Sequence, residues 1–410
     1  MVGHIEPRGK SFRLVVSGGR DKDGKQIKYT KTIKGVTPKE AEKELALMVA
    51  EIEKGQFADS KKLNLNDFVA RWLKDYAQKR LAPKTLYRYK ELLDKRILPA
   101  LGHMRIDQIR PLHIMKFYNN LQEEGMRLDG KPGTLSDRTI LHHHRLLSSI
   151  MQDAVEWQVI HSNPLTRVPT PKVKRKPAPC YDEEQTILLF QALDNEPMKY
   201  KVIIFLDIAS GLRRGELMGL TWDNVNFKDS TIEVECSSQY LPGQGTFTKD
   251  PKNETSKRII SIPSSVMALL KEYKKHQSEE KLIVGSLWHD SNRLFTTWDG
   301  KPMHPDTVSK WFPKFLKRYN EKVKNDEYIP DSEKENLYLP PITFHGLRHT
   351  SATLLIGQGL HVKTISSRLG HSNISTTMDI YGHTLKKADQ EAADKLDYLF
   401  GNKERKNKQA

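Results

Sequence analysis

Four prolines within eleven residues, at positions 169, 171, 177 and 179, constrain the fold of this chain more than any other feature. Proline fixes φ and has no backbone N–H, so neither a helix nor an inner strand can run through Pro169 to Pro179. The stretch has to be an extended, semi-rigid linker between separately folded parts. Lys172, Lys174, Arg175 and Lys176 add four positive charges to it, which a phosphate backbone would attract. The 410 residues leave room for two or three domains with their own cores. A formal charge of +16 favours a polyanionic partner, nucleic acid first. Cys180 and Cys236 are the only cysteines, which argues against a disulfide framework or a cysteine-based zinc site. No apolar stretch has the length of a signal peptide or membrane span. The expected setting is therefore a reducing cytoplasm, on DNA.

The first sixty residues read as a small α+β unit. Residues 12–16 and 27–33 have strand character, and Asp23-Gly24 between them is a hairpin turn. Thr37, Pro38 and Glu40 spell a helix start with a capping box. Ala41, Leu45, Met48, Val49 and Ile52 then share one helical face, and Gly55 stops the helix. Lys25, Lys28, Lys31 and Lys34 dot the strands, as an ordinary solvated face or as DNA contacts. Gly19 to Gly24-Lys25 imitates part of a phosphate-binding loop, but Gln26 stands where Ser or Thr is required, which argues against ATP.

From Leu65 to Val168 the pattern is helical. Phe68, Trp72 and Tyr76 mark one helix, Pro83 opens a second and Pro111 a third. Ser136 caps a long fourth helix, and Asn163-Pro164 ends the segment. Four such helices make a bundle. His142, His143 and His144 point to different faces and cannot share one metal, so surface or DNA-facing positions are expected for them. Past Tyr181, residues 231–235 and 258–262 read as strands, with helices near 264–275, 305–319, 346–357 and 376–396.

An ordered set of basic, imidazole and phenol side chains runs through this second half. Arg213 follows Gly211 at a helix start, and Glu216, three residues on, can hold its guanidinium. His345 and Arg348 share a helical patch at i, i+3. His371 follows Gly370, a helix stop, and Tyr381 lies ten residues further. Two guanidinium forks suit the oxygens of a pentacoordinate phosphorus, a neutral imidazole can take a proton, and a phenol can attack covalently. No carboxylate cluster of two-metal spacing accompanies them, so no metal or other cofactor is expected.

Ala209-Ser210-Gly211-Leu212-Arg213-Arg214-Gly215-Glu216-Leu217, His345-Gly346-Leu347-Arg348-His349, Leu369-Gly370-His371 and Met378-Asp379-Ile380-Tyr381-Gly382-His383 closely resemble the motifs of the tyrosine recombinase (phage-type integrase) family. The resemblance covers the whole second half of the chain. It implies that Arg213 (not Arg214) and Arg348 grip the scissile phosphate with His345 and His371, that Glu216 supports Arg213, and that Tyr381 is the nucleophile. A lysine before the strand at 258–262 would protonate the departing 5′ oxygen. Lys252 is favoured, with Lys249 and Lys257 as competitors.

The implied fold is multidomain: a small α+β N-terminal domain (short sheet plus helix), an all-α core-binding bundle, and a mainly helical α+β catalytic domain with a small antiparallel sheet. The implied segments are an arm-type DNA-binding domain at 1–58, the core-binding domain at 63–168, the linker at 169–179, the catalytic domain at 180–400 and a disordered tail at 401–410. Lys25, Lys28, Lys31, Lys172, Lys174, Arg175 and Lys176 are the candidate DNA contacts. The expected partners are double-stranded DNA at core and arm sites, three further copies in a tetramer, and a directionality factor, with no membrane. An integrase of a mobile element or prophage, in the bacterial cytoplasm with the nucleoid, is the implied identity. A type IB topoisomerase-like enzyme and a catalytically inactive sequence-specific DNA-binding protein are the alternatives.

Overall fold

The structure, a computed structural model, describes residues 3–20, 26–53, 63–173, 178–249, 257–370, 373–374 and 378. The chain divides into two units, residues 1–174 and 175–410. The first unit holds two separate hydrophobic cores.

Strands β1 (Gly3–Arg8), β2 (Ser11–Arg20) and β3 (Gln26–Lys34) form an antiparallel sheet in the order β1-β2-β3. Helix α1 (Pro38–Glu53) covers one face. Both the backbone N–H and the hydroxyl of Thr37 donate to Glu40, at 2.7 and 2.9 Å, which is the expected helix start. Ala41, Met48 and Ile52 bury themselves against Leu14 and Val16, with Leu45 and Val49 packed beside them. Strand alternation puts Tyr29, Lys31 and Ile33 on the helix-covered face, and Lys31 donates to Glu44 of α1 at 2.7 Å. Helix α1 thus supplies Lys31 with a partner while leaving its side chain 43% exposed. Lys28 is exposed, while Lys25 and the Asp23-Gly24 turn lie outside the described residues.

The bundle begins with α2 (Leu65–Trp72), which passes through a π turn, Leu73–Ala77, into α3 (Gln78–Arg80). Helix α4 (Pro83–Leu92) likewise passes through Leu93–Ile97 into α5 (Leu98–Leu101). Then come α6 (Pro111–Leu121) and α7 (Asp137–Glu156), whose Ser136 cap accepts from the Thr139 N–H. Trp72 is fully buried, and its indole N–H donates to Asp153 at 2.5 Å. Trp72→Phe keeps an aromatic ring but removes the pyrrole part of the indole, and with it the N–H that Asp153 accepts. It should lower unfolding free energy by about 1–3 kcal/mol in urea titrations, with a loss below experimental error counting against the account.

The histidine run is placed differently from expectation. His142 is exposed, but His143 and His144 are buried. His143 Nδ1 meets the Thr139 carbonyl at 2.8 Å, and His144 Nδ1 meets the Tyr118 hydroxyl at 2.7 Å. The pattern i, i+1 put two of three rings inside because the apolar face of α7, carrying Ile140, Leu147 and Met151, is broad enough to include them.

In the second unit, α8 (Glu183–Ala192), α9 (Met198–Ser210) and α10 (Arg214–Leu217) precede two small antiparallel sheets. One pairs β4 (Val225–Asn226), β5 (Thr231–Val234) and, after the second sheet, β8 (Arg258–Ser261). The second is a hairpin of β6 (Ser237–Leu241) and β7 (Gly245–Lys249). Helices α11 (Ser264–Val284), α12 (Asp306–Asn325), α13 (Asp331–Lys334), α14 (Phe344–Gly357) and α15 (Val362–Leu369) complete it. α14 packs on α9, α12 and α15, so it lies at the centre of this unit. Among the described residues no helix is long and apolar enough to cross a membrane. Apart from Met378, the predicted helix at 376–396 lies outside them, as does the tail.

Candidate active site

Gly211 begins the site. It ends α9 at φ +62°, in the left-handed region, and a Cβ there would meet Leu369 Cδ2 at 2.4 Å. Glycine is therefore required twice, by conformation and by space. The turn delivers Arg213 as the N-cap of α10, with Glu216 at the third helical position. Glu216 accepts from the Arg213 N–H at 3.0 Å and from Arg213 Nη1 at 2.7 Å. The acidic support inferred from sequence is thus also a capping box.

Arg348 reaches the same place from α14, with 3% of its surface exposed. Its Nη1 donates to the Gly211 carbonyl at 2.6 Å and its Nη2 to the Leu369 carbonyl at 2.7 Å. Arg213 Nη2 donates to the next carbonyl, Gly370, at 2.6 Å. Two guanidiniums from distant segments are thus anchored on consecutive carbonyls at the end of α15. Each fork retains N–H groups for another acceptor, because guanidinium carries five. Arg214 turns away to α12, where it meets Asp306 at 2.6 Å and Ser309 at 2.8 Å.

A third and a fourth arginine complete the cluster, and the sequence reading had not singled out either. Arg258 at the start of β8 donates through Nη2 to Glu216 at 2.8 Å and through Nε to the Arg368 carbonyl at 2.8 Å. Arg368 donates to the carbonyls of Ala209 and Ser261, at 2.6 and 2.9 Å. A signal for Arg258 was available. Period-two alternation puts it on the same face as buried Ile260 and Ile262, so a charge had to be accommodated inside.

Charge in the cluster is unbalanced. Burial alone would raise the Glu216 carboxyl, but hydrogen bonds and charge from Arg258 and Arg213 outweigh it and hold the group below its ordinary range. Burial pushes the Asp207 carboxyl well above that range against the pull of Arg348, making it the weaker source of negative charge. Burial, followed by the neighbouring Arg213 charge, lowers Arg348 to about 10. Four guanidiniums around one firmly ionised carboxylate form a site made for an anion.

His345 sits in the first turn of α14, open to solvent on one side, with its ring 5.0 Å from that of His349 in a T-shaped pair. Burial of the ring, then the charges of His349, Arg348, Arg213 and Arg214, push it down to about 4. In the DNA-free protein it is a neutral imidazole at pH 7. The unfolded chain binds the proton first as pH falls, so His345 makes the fold less stable from about pH 6.5 down to about 4. Histidine NMR of the DNA-free protein should follow the lower value, and a midpoint at or above 6.5 would contradict this placement.

The structure thus brings together Arg213, Glu216, His345 and Arg348 of the predicted set. Lys252, His371 and Tyr381 lie outside the described residues, as do Lys174, Arg175 and Lys176 of the linker. Lys172 is exposed. Gly370 ends α15 at φ +67°, so the predicted helix stop before His371 is present. Among the described residues, no group of three or more histidine, cysteine or carboxylate side chains could hold a metal ion.

The family model described as "Phage integrase family" matches residues 180–388, and the one described as "Phage integrase, N-terminal SAM-like domain" matches residues 64–122. A "Tyrosine recombinase XerC-like" protein of Caldanaerobacter subterraneus subsp. tengcongensis is 30% identical, over 97% of this chain and 99% of its own length. The chain belongs to the phage integrase family of tyrosine recombinases. It is a site-specific DNA recombinase. Two solved structures share the fold of this tyrosine recombinase. The Tn1549 transposon integrase in complex with transposon right end DNA has a TM-score of 0.63 at 22% identity, covering 82% of this chain and 100% of that one. A lambda integrase tetramer bound to a Holliday junction has a TM-score of 0.51 at 18% identity, covering 90% and 95%. The common architecture is mainly helical with small antiparallel sheets.

Proposed function

We propose that this recombinase integrates and excises a mobile element by cutting and rejoining DNA through a 3′-phosphotyrosyl intermediate on Tyr381. One observation carries the reading: Arg213 and Arg348, fixed on the adjacent carbonyls of Gly370 and Leu369, share with Arg258 a single firmly ionised carboxylate, Glu216, and so leave an excess of positive charge. A scissile phosphate supplies the balancing anion. The two forks take its non-bridging oxygens and stabilise the charge that grows there in the transition state. Neutral His345, with His371, takes the phenol proton or bonds the phosphate. Tyr381 Oη bonds to phosphorus, the bond from phosphorus to O5′ breaks, and its electron pair leaves on the 5′ oxygen. Lys252 protonates that oxygen. Attack by a 5′ hydroxyl on the phosphotyrosine reverses the step, returning the proton to the phenolate. The arginines do the work of a Lewis acid, so adduct formation should proceed in EDTA and without ATP.

The segment assignments follow from the same reading. Residues 1–58 take arm-site DNA, with Lys28 exposed and Lys25 three residues before it in sequence. Residues 63–168 and 180–400 take core DNA, and Lys172, Lys174, Arg175 and Lys176 of the linker at 169–179 serve as contacts to its phosphate backbone. Four protomers would exchange strands through a Holliday junction, the assembly in which lambda integrase is seen. The bacterial cytoplasm, on the nucleoid, is the corresponding location.

The test is a nicked suicide duplex taken from the element end beside the gene. Attack releases a short strand and traps the covalent complex, which should migrate as protein plus DNA and map by peptide mass to Tyr381. A relaxed plasmid with no paired sites, and no strand exchange, would favour the topoisomerase-like alternative.

A further inference from the structure

We infer that Arg258 is a positioning residue for the proposed phosphate grip, acting on Arg213 through Glu216. The inference rests on the recombinase reading above and adds a residue to it. Glu216 offers two oxygens. Oε1 takes Arg213 Nη1, and Oε2 takes both the Arg213 N–H and Arg258 Nη2. The side chains of Glu216 and Arg258 are each 9% exposed, whereas that of Arg213 is 42% exposed. The buried pair is therefore the base, and the partly open Arg213 stands on it.

Arg258 is itself fixed from a third segment. Its Nε donates to the Arg368 carbonyl, one residue before the carbonyl that holds Arg348 and two before the one that holds Arg213. Three guanidiniums thus read three successive carbonyls at the end of α15, and Gly370 has to be glycine partly because a Cβ would meet Arg258 Nη1 at 2.8 Å. A planar fork can hold a carboxylate and a carbonyl at a fixed angle to each other. An ammonium is a point charge and cannot. Without Arg258, Glu216 would still pair with Arg213 but could rotate, and the Arg213 fork would rotate with it. A misplacement on the order of 1 Å is enough to lose about 10²-fold in rate.

The experiment uses the full chain and the same suicide duplex, made with an ordinary scissile phosphate, a methylphosphonate at that position, or a bridging 5′ sulfur. Methylphosphonate removes one negative charge, so its transition state asks less of Arg213. A thiolate leaving group needs no general acid, so the sulfur substrate bypasses the lysine. Arg258→Met should bind duplex within about threefold of wild type and form adduct roughly 10²-fold more slowly on phosphate. On methylphosphonate the gap to wild type should shrink to a few-fold, and on the sulfur substrate it should persist. Arg258→Lys should show the same pattern, and it carries the comparison if the Met variant melts at a markedly lower temperature. Equal losses on all three substrates indicate a purely structural role and overturn the inference, as does rescue by sulfur alone or no loss at all. Absence of adduct with wild type would sink the recombinase reading itself, and this inference with it.

Discussion

Tyr381→Phe should abolish covalent capture of the suicide duplex while leaving duplex binding within about twofold of wild type. The substitution removes one oxygen and keeps the ring, so only the bond to phosphorus is lost. Removing the nucleophile from a catalytic set that acts as a unit costs at least ~10⁴-fold. Here the loss should be complete within detection, because Arg213 and Arg348 bind charge but carry no nucleophilic atom. Gel retardation and denaturing gels on the same samples separate the two outcomes. Adduct that persists in the Phe variant means another residue attacks, and Tyr398 is the first to test.

Arg348→Ala should lose both catalysis and stability. The side chain is almost wholly enclosed and satisfies the carbonyls of Gly211 and Leu369. Each buried acceptor left without a donor costs about 1–3 kcal/mol, and the end of α9 would come away from the end of α15. Catalysis should fall by a further ~10²–10³-fold in the molecules that remain folded, the usual loss when one preorganised donor to a developing charge is removed. Arg348→Lys separates the two effects. It keeps a cation and most of the volume, but its compact ammonium cannot reproduce the planar fork that holds two carbonyls and presents further N–H groups to a phosphate. It should recover much of the melting temperature and little of the adduct rate. A lysine variant with wild-type cleavage would show that the fork geometry is unimportant.

Local rules explain where the sequence was readable. Thr37, Pro38 and Glu40 specify a helix start through bonds among neighbours, and the structure contains them. Gly211 and Gly370 sit at left-handed helix ends, a conformation that points to glycine in any context. Several unread elements lacked such signals. α9 runs Met198–Ser210 with apolar residues all round, so no 3.6 period marked it. β1 and the β6–β7 hairpin are short and mixed in composition, and their pairing partners define them. The two inner histidines were misplaced because each pairs with a side chain or carbonyl that linear spacing alone did not assign.

The sequence by itself determined the chemical inventory and its order: two forks, imidazoles and a phenol in the tyrosine recombinase series, with Glu216 in register beneath Arg213. Tertiary structure alone decided how the described members, Arg213, Glu216, His345 and Arg348, converge, and the charge states of the last three. Arg213 finds its second anchor 157 residues away at Gly370, and Arg258 finds one 110 residues away at Arg368. Contacts of that range depend on how α9, α14 and α15 pack. Burial and the crowding of like charges then set which groups are ionised, and neither quantity exists until the chain has folded.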